Sequence, residues 1–146
     1  IHVVHNDYTD LSAPKRLRKM LDAAEADARG GRRFAIVNLW RAIRGPIQAT
    51  PLAVCDAQSL AKADFLPTDL VYEDWTGEVY RVTHRPEHRW YYFPKMARGE
   101  ALIFKGYDSL TDGTARYAPH TAFDDPTSPP DAAPRESIEA RVLVFF

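Results

Sequence analysis

The sequence predicts a mainly β protein of sandwich or jelly-roll type with at least one flanking helix. Three observations carry this. Short runs rich in β-branched and aromatic residues recur along most of the chain, turn signals separate them, and helical periodicity is clear in one place only. At 146 residues the chain is one domain, 1–146, long enough to bury a core.

Taken in order, residues 1–8 read as a strand entering a turn. Ser12-Ala13-Pro14 opens a helix with Pro14 suited to its first position, and Leu17, Met20, Leu21, Ala24 and Ala28 form its apolar stripe. Gly30-Gly31 ends it. The run from Arg33 to Ile43 predicts a strand, and Pro46 and Pro51 break the segment leading to a second at 52–56. Residues 60–68 suggest a short helical turn and loop. Further strands are expected at 70–73, 78–83, 89–93, 100–105, 116–123 and 138–146, with turns at Thr76-Gly77, Arg98-Gly99 and Asp112-Gly113. Between Asp124 and Pro134 lie Pro126, Pro129, Pro130 and Pro134, so this stretch is an extended loop outside any sheet interior.

Composition narrows the classes of function. There are 19 basic and 20 acidic residues for a net charge of −1, which gives no field for nucleic acid or an anionic membrane. The longest apolar run, Val142 to Phe146, is far too short to span a bilayer. One cysteine, Cys55, excludes an internal disulfide and fits a reducing, cytoplasmic setting. Oligomeric state is left open.

Chemistry concentrates in a few places. His5 and Asp7 stand two apart on an extended segment, so an imidazole and a carboxylate share a face. Those are two of the three ligands of the facial triad that holds Fe(II) and leaves positions for O2 and a co-substrate. His120, arriving from a distant strand, is the candidate third. Taken as a lone pair, His5 and Asp7 could equally be a satisfied core histidine and an Asx turn. Arg135 stands at the base of the last predicted strand, where a guanidinium can grip a carboxylate through two hydrogen bonds. Ser137 shares its parity, and so does Arg141, a rival for the same role expected toward the far end of the barrel. Asn38 and Trp40 share parity on the 33–43 strand; in a barrel Asn38 is expected near the open metal positions, and a core Trp with a buried, hydrogen-bonded Asn fits the pattern equally. The aromatics Trp90, Tyr91 and Tyr92 are read as core packing.

A competing motif is His84-Arg-Pro-Glu-His88, the H-x-x-E-H of one zinc-peptidase class. It requires a helix, and Pro86 together with extended flanks argues for a turn instead. His84 and His88 are therefore read as surface or turn residues.

Seven segments taken together resemble one family. They are His5-Asn-Asp7-Tyr-Thr, Asn38-Leu-Trp-Arg41, Pro51-Leu-Ala-Val-Cys-Asp56, His88-Arg-Trp-Tyr-Tyr-Phe-Pro94, Phe104-Lys-Gly-Tyr-Asp-Ser109, Pro119-His-Thr-Ala-Phe123 and Pro134-Arg-Glu-Ser-Ile-Glu-Ala-Arg141. In that order they resemble the hydroxylase/desaturase family of Fe(II)- and 2-oxoglutarate-dependent oxygenases of bacterial and fungal secondary metabolism. The likeness covers nearly the whole chain. It implies a double-stranded β-helix (jelly-roll, cupin-like) fold, Fe(II) on His5, Asp7 and His120, and 2-oxoglutarate and O2 as co-substrates. The arginine-x-serine pattern of related oxygenases maps onto Arg135 and Ser137. A small organic metabolite would be hydroxylated or desaturated, with the 124–134 loop as a lid. Members of that family carry a substantial region before the H-x-D motif, so an N-terminal portion of the native protein is expected to lie outside this chain. The alternative is a cupin-like metal-binding protein without oxygenase turnover.

Overall fold

A computed structural model describes residues 2–146. Ile1, the first residue of the expected N-terminal strand, lies outside the described residues. The chain forms β1 (His5–Asn6), α1 (Ser12–Met20), α2 (Ala23–Gly30), β2 (Phe34–Arg44), β3 (Leu52–Cys55), β4 (Phe65–Val71), β5 (Thr76–Val82), β6 (Trp90–Tyr92), β7 (Ala101–Asp108), β8 (His120–Ala122) and β9 (Glu136–Phe145). Two short 3₁₀ turns, Ala57–Ser59 and Lys62–Asp64, join β3 to β4. The strands make two antiparallel sheets, one ordered β4-β5-β1-β8-β3-β6 and the other β7-β2-β9. The chain passes from sheet to sheet at β1→β2→β3 and again at β6→β7→β8→β9. This is the mainly β jelly roll expected.

β2 shows why. Its even-numbered residues Phe34, Ile36, Asn38, Trp40 and Ala42 are all buried, whereas Arg41 and Ile43 face out. It is the central strand of its sheet, paired with both β7 and β9. Phe34 and Ile36 pack with Tyr8, Ala13, Leu17, Ala26 and Tyr107 beneath the two helices. Further along, Trp40 and Ala42 pack with Ile47, Leu52, Met96 and Phe104. Between these cores the β2–β7 register slips: Ile36 faces Tyr107 and Val37 faces Lys105, leaving Gly106 as the extra residue of a bulge. A Cβ at Gly106 would meet Asn38 Oδ1 at 2.8 Å and the Tyr8 ring at 3.3 Å. Only glycine lets the strand pass so close to both.

Several expectations shift. The single helix expected from Ser12 to Gly30 is two, because the Asp22 carboxylate accepts the Glu25 amide at 2.8 Å and starts α2 afresh. Thr9 Oγ1 accepts the Leu11 and Ser12 amides ahead of α1. The strand expected at 70–73 is β4, beginning at Phe65, and its hairpin turns before Gly77 with the Tyr72 amide on Trp75 O. The strand expected over 116–123 is only His120–Ala122. Tyr91 and Tyr92 are exposed rather than core, because β6 is an edge strand; Tyr92 rests edge-on against Phe123. The His88 side chain is buried, its Nε2 3.0 Å from the buried Asp64 carboxylate, so it is a turn residue but not a surface one.

Asp108 pins the end of β7. It accepts from Arg33 through Nε at 3.2 Å and Nη2 at 2.9 Å, from Lys105 Nζ at 2.8 Å and from the Leu110 amide at 3.0 Å. Burial alone would raise its pKa, but these donors overcome burial and hold it well below the ordinary carboxylate value. A depressed folded-state pKa contributes stability that is whole above the unfolded carboxylate pKa and drains away as pH falls toward the folded value. Asp108→Asn should therefore be less stable at neutral pH, and its gap from wild type should shrink in urea titrations between about pH 5 and pH 2. Gly106→Ala should lose about 1–3 kcal/mol in thermal unfolding through overpacking against Asn38 and Tyr8.

Candidate metal centre

β1 is two residues long, yet it lies in the middle of its sheet, with His5 opposite Arg81 on one side and His120 on the other. Cross-strand partners project to the same face, which brings the His5 and His120 ring centroids to 4.5 Å. Asp7 follows at the next same-face position. Asn6 faces the other way, is fully buried, and donates Nδ2 to Tyr8 O and Gly106 O, both at 2.8 Å. That anchor was missed in the sequence, although an amide between His5 and Asp7 is a group that must find partners once buried.

Each histidine rests its Nδ1 on a backbone carbonyl: His5 on Val3 O at 2.8 Å and His120 on Ala118 O at 3.0 Å. A carbonyl only accepts, so the hydrogen sits on Nδ1 and the Nε2 lone pair is free. Those Nε2 atoms lie 3.7 Å from Asp7 Oδ1 (His5) and 3.8 Å from Asp7 Oδ2 (His120). One donor atom from each of the three residues falls within 4.8 Å of the others. Burial lowers the His120 pKa against the opposing pull of Asp7, so its imidazole is neutral, as a ligand must be. Two imidazoles with Nδ1 committed to carbonyls and one carboxylate suit a first-row divalent cation and leave positions open around it.

The other sheet holds Asp7. Asn38 Nδ2 donates to Oδ2 at 2.6 Å and Arg141 Nη2 to Oδ1 at 2.9 Å. Asn38 and Arg141 are themselves cross-strand partners on β2 and β9. Arg141 also contacts Glu139 Oε1 at 2.8 Å. Arg141, expected toward the far end of the barrel, thus sits on the centre, because the β2–β9 register brings position 141 opposite Asn38.

Arg135 lies at the start of β9. Its Nη1 donates to Thr50 O at 2.6 Å and its guanidinium packs 5.5 Å from the Trp40 ring. Among the described residues it has no carboxylate partner, and burial lowers its pKa. Trp40 shares a core with Phe104, whose ring is 4.8 Å from that of His120. An aromatic wall therefore runs from His120 to Arg135. Ser137 is on the same side of β9, opposite Ala42. A cleft of about 460 Å³, lined by Asp10, Lys62, Phe65, Tyr80, Arg116 and Tyr117, contains no residue of the centre. His84 and His88 lie in the loop between β5 and β6, not on a helix, so the H-x-x-E-H spacing has no zinc-peptidase geometry.

The family model described as "Oxidoreductase/YMDC permease-like domain" matches residues 1–145. The chain belongs to that family. Its relatives include hydroxylase/desaturase efuI of Hormonema carpetanum, 39% identical over 98% of this chain and 51% of that protein. Aspirochlorine biosynthesis protein N of Aspergillus oryzae is 39% identical over 93% and 58%. Fe(II)/2-oxoglutarate-dependent dioxygenase nvfI of Aspergillus novofumigatus is 35% identical over 97% and 51%. Among solved structures, the iron and alpha-ketoglutarate-dependent endoperoxidase NvfI matches with a TM-score of 0.90 at 32% identity, over 98% of this chain and 53% of that one. The chain spans about half the length of the curated relatives it matches, and over that half the family fold is shared.

As a candidate metal centre the cluster carries a direct test. Substituting His5, Asp7 or His120 with Ala should lower Fe(II) occupancy, read anaerobically by metal analysis, at least ten-fold by the usual dependence on a full ligand set. His84→Ala should leave it unchanged. Full occupancy in His120→Ala would remove that residue from the ligand set.

Proposed function

We propose that this chain carries the catalytic centre of a non-haem Fe(II)/2-oxoglutarate-dependent dioxygenase acting on a small organic molecule of secondary metabolism. His5, Asp7 and His120 are the metal ligands. The observation that carries the reading is their convergence with both Nε2 atoms free, in a chain whose relatives bear hydroxylase/desaturase and Fe(II)/2-oxoglutarate-dependent dioxygenase names.

When bound, Fe(II) with 2-oxoglutarate and O2 would supply oxidising power from O2, with the oxoacid giving up two electrons as it becomes succinate and CO2. The protein's own part is placement and exclusion of water. His5 and His120 present their Nε2 atoms, and Asp7 is held in orientation by Asn38 while Arg141 balances its charge. Arg135 is the cation for the distal carboxylate of 2-oxoglutarate, with Ser137 adding a hydroxyl. The geometry supports Arg135 over Arg141: Arg141 is already shared between Asp7 and Glu139, whereas Arg135 is half-buried against Trp40 with no anion of its own. Trp40 and Phe104 supply an apolar wall along which the oxoacid would lie. The loop from Asp124 to Pro134 joins β8 to Arg135 and is placed to close over the site as a lid. Hydroxylation and desaturation both draw on this machinery. Among the described residues no helix is long and apolar enough to cross a membrane, and Cys55 is unpaired. The free thiol supports placing the enzyme in the cytoplasm.

Losing a charge-assisted bidentate contact removes about 1.5–3 kcal/mol, or roughly 10- to 150-fold in affinity. Arg135→Lys should therefore raise the KM for 2-oxoglutarate by that factor while Fe(II) still binds. Anaerobic Fe(II) with 2-oxoglutarate should give a visible charge-transfer band in wild type. A band that vanishes in Arg141→Lys but persists at wild-type oxoacid concentration in Arg135→Lys would move the co-substrate to the other arginine. No band in wild type would leave metal binding without oxygenase chemistry.

A further inference from the structure

The two groups on Asp7 differ in kind. Asn38 is neutral and fully buried; Arg141 is a cation, 46% exposed at its side chain, with a second carboxylate, Glu139, in reach. Both come from one cross-strand position of the sheet opposite the histidines. Asn38 Nδ2 faces the Asp7 carboxylate, so the amide cannot be turned over without setting its oxygen against a carboxylate oxygen. Its Oδ1 has no donor among the described residues and abuts Gly106. Asn38 is therefore committed to one task, the orientation of Asp7. Arg141 does something more, because a guanidinium on a ligand carboxylate is a like charge beside any divalent cation that carboxylate would bind.

We propose that Asn38 is a positioning residue that supports cation binding by Asp7, whereas Arg141 is a resident counter-cation that competes for the same carboxylate and is received by Glu139. The proposal rests on the reading of His5, Asp7 and His120 as metal ligands. Its chemistry follows from charge. With Arg141 present, Asp7, Glu139 and Arg141 sum to −1; without it they sum to −2, and a dication is bound more tightly. With Asn38 replaced by an apolar residue the charge is unchanged and only orientation is lost. The two substitutions therefore act in opposite directions, whereas two structural supports of one carboxylate would act in the same direction.

The experiment titrates Co2+ alone into the purified metal-free protein under anaerobic conditions, by calorimetry and by visible absorption. Arg141→Gln should bind Co2+ about ten-fold tighter than wild type at low ionic strength, a modest figure because the guanidinium is half-exposed. The gain should shrink in roughly 1 M salt, where screening acts within about 3 Å. Arg141→Lys, which keeps the charge, should bind like wild type. Asn38→Leu should weaken binding by about 10- to 100-fold and alter the Co2+ spectrum, with Asn38→Ser as a second variant should leucine prevent folding. Weaker binding in both Arg141→Gln and Asn38→Leu overturns the proposal, as does unchanged affinity in Arg141→Gln. Failure of the wild type itself to bind Co2+, or binding that survives His5→Ala, instead overturns the metal-centre reading beneath it.

Discussion

The Asp7 carboxylate is a polar group on which both sheets converge. It sits on the residue that follows a two-residue strand of one sheet and accepts hydrogen bonds from neighbouring strands of the other. A carboxylate 8% exposed at its side chain is tolerable only when its oxygens are paired. Asn38 and Arg141 meet that demand, one oxygen each. Two residues of strand pairing cannot hold three side chains in a set geometry by themselves. The H-x-D segment is instead fixed by what its side chains bind: His5 on Val3 O, Asn6 on Tyr8 O and Gly106 O, Asp7 on Asn38 and Arg141.

That convergence explains features remote from it. Gly106 is required because β7 must approach both Asn6, which hydrogen-bonds its carbonyl, and Asn38, whose amide oxygen leaves no room for a Cβ. The bulge at the same place reconciles the β2–β7 register on either side of the contact. Apolar packing divides accordingly, with the Phe34–Ile36 core under the helices and the Trp40–Phe104 core beyond the polar layer. Asn38 lies between them on β2, a buried amide among buried apolar neighbours Ile36 and Trp40.

Much of this was legible in the sequence wherever a period-two pattern meets a residue of specific chemistry. The parity of His5 and Asp7, and of Phe34 through Ala42 on β2, is an arithmetic property of extended chain and survived folding intact. Position along a strand proved less legible than parity. Arg141 was placed toward the far end of the barrel by counting from Arg135, but the centre lies where β9 crosses Asn38, and that crossing depends on register and on a bulge contributed by another strand. Asp22 was absorbed into a helical stripe because periodicity does not register a side chain that caps its own backbone. The buried environment of His88, read as a surface or turn residue, was not legible because its partner, Asp64, lies across a hairpin.

The arrangement divides labour between the sheets. One sheet supplies the imidazoles, each aimed by a backbone carbonyl two residues before it; the other supplies an amide on β2 and an arginine on β9, with a second arginine just before β9. Those arginines are chemically alike and electrostatically opposite in situation. Arg141 lies between two carboxylates and is neutralised where it stands, while Arg135 is held against Trp40 and a carbonyl with its charge unspent. A buried guanidinium without an anion is unfavourable on its own, and it becomes favourable once an anionic ligand arrives. The fold thus leaves at the base of β9 a half-buried cation with no carboxylate partner among the described residues. It neutralises at Arg141 the cation that would otherwise compete with it. Two cations six residues apart are kept from exchanging roles by the register of one sheet.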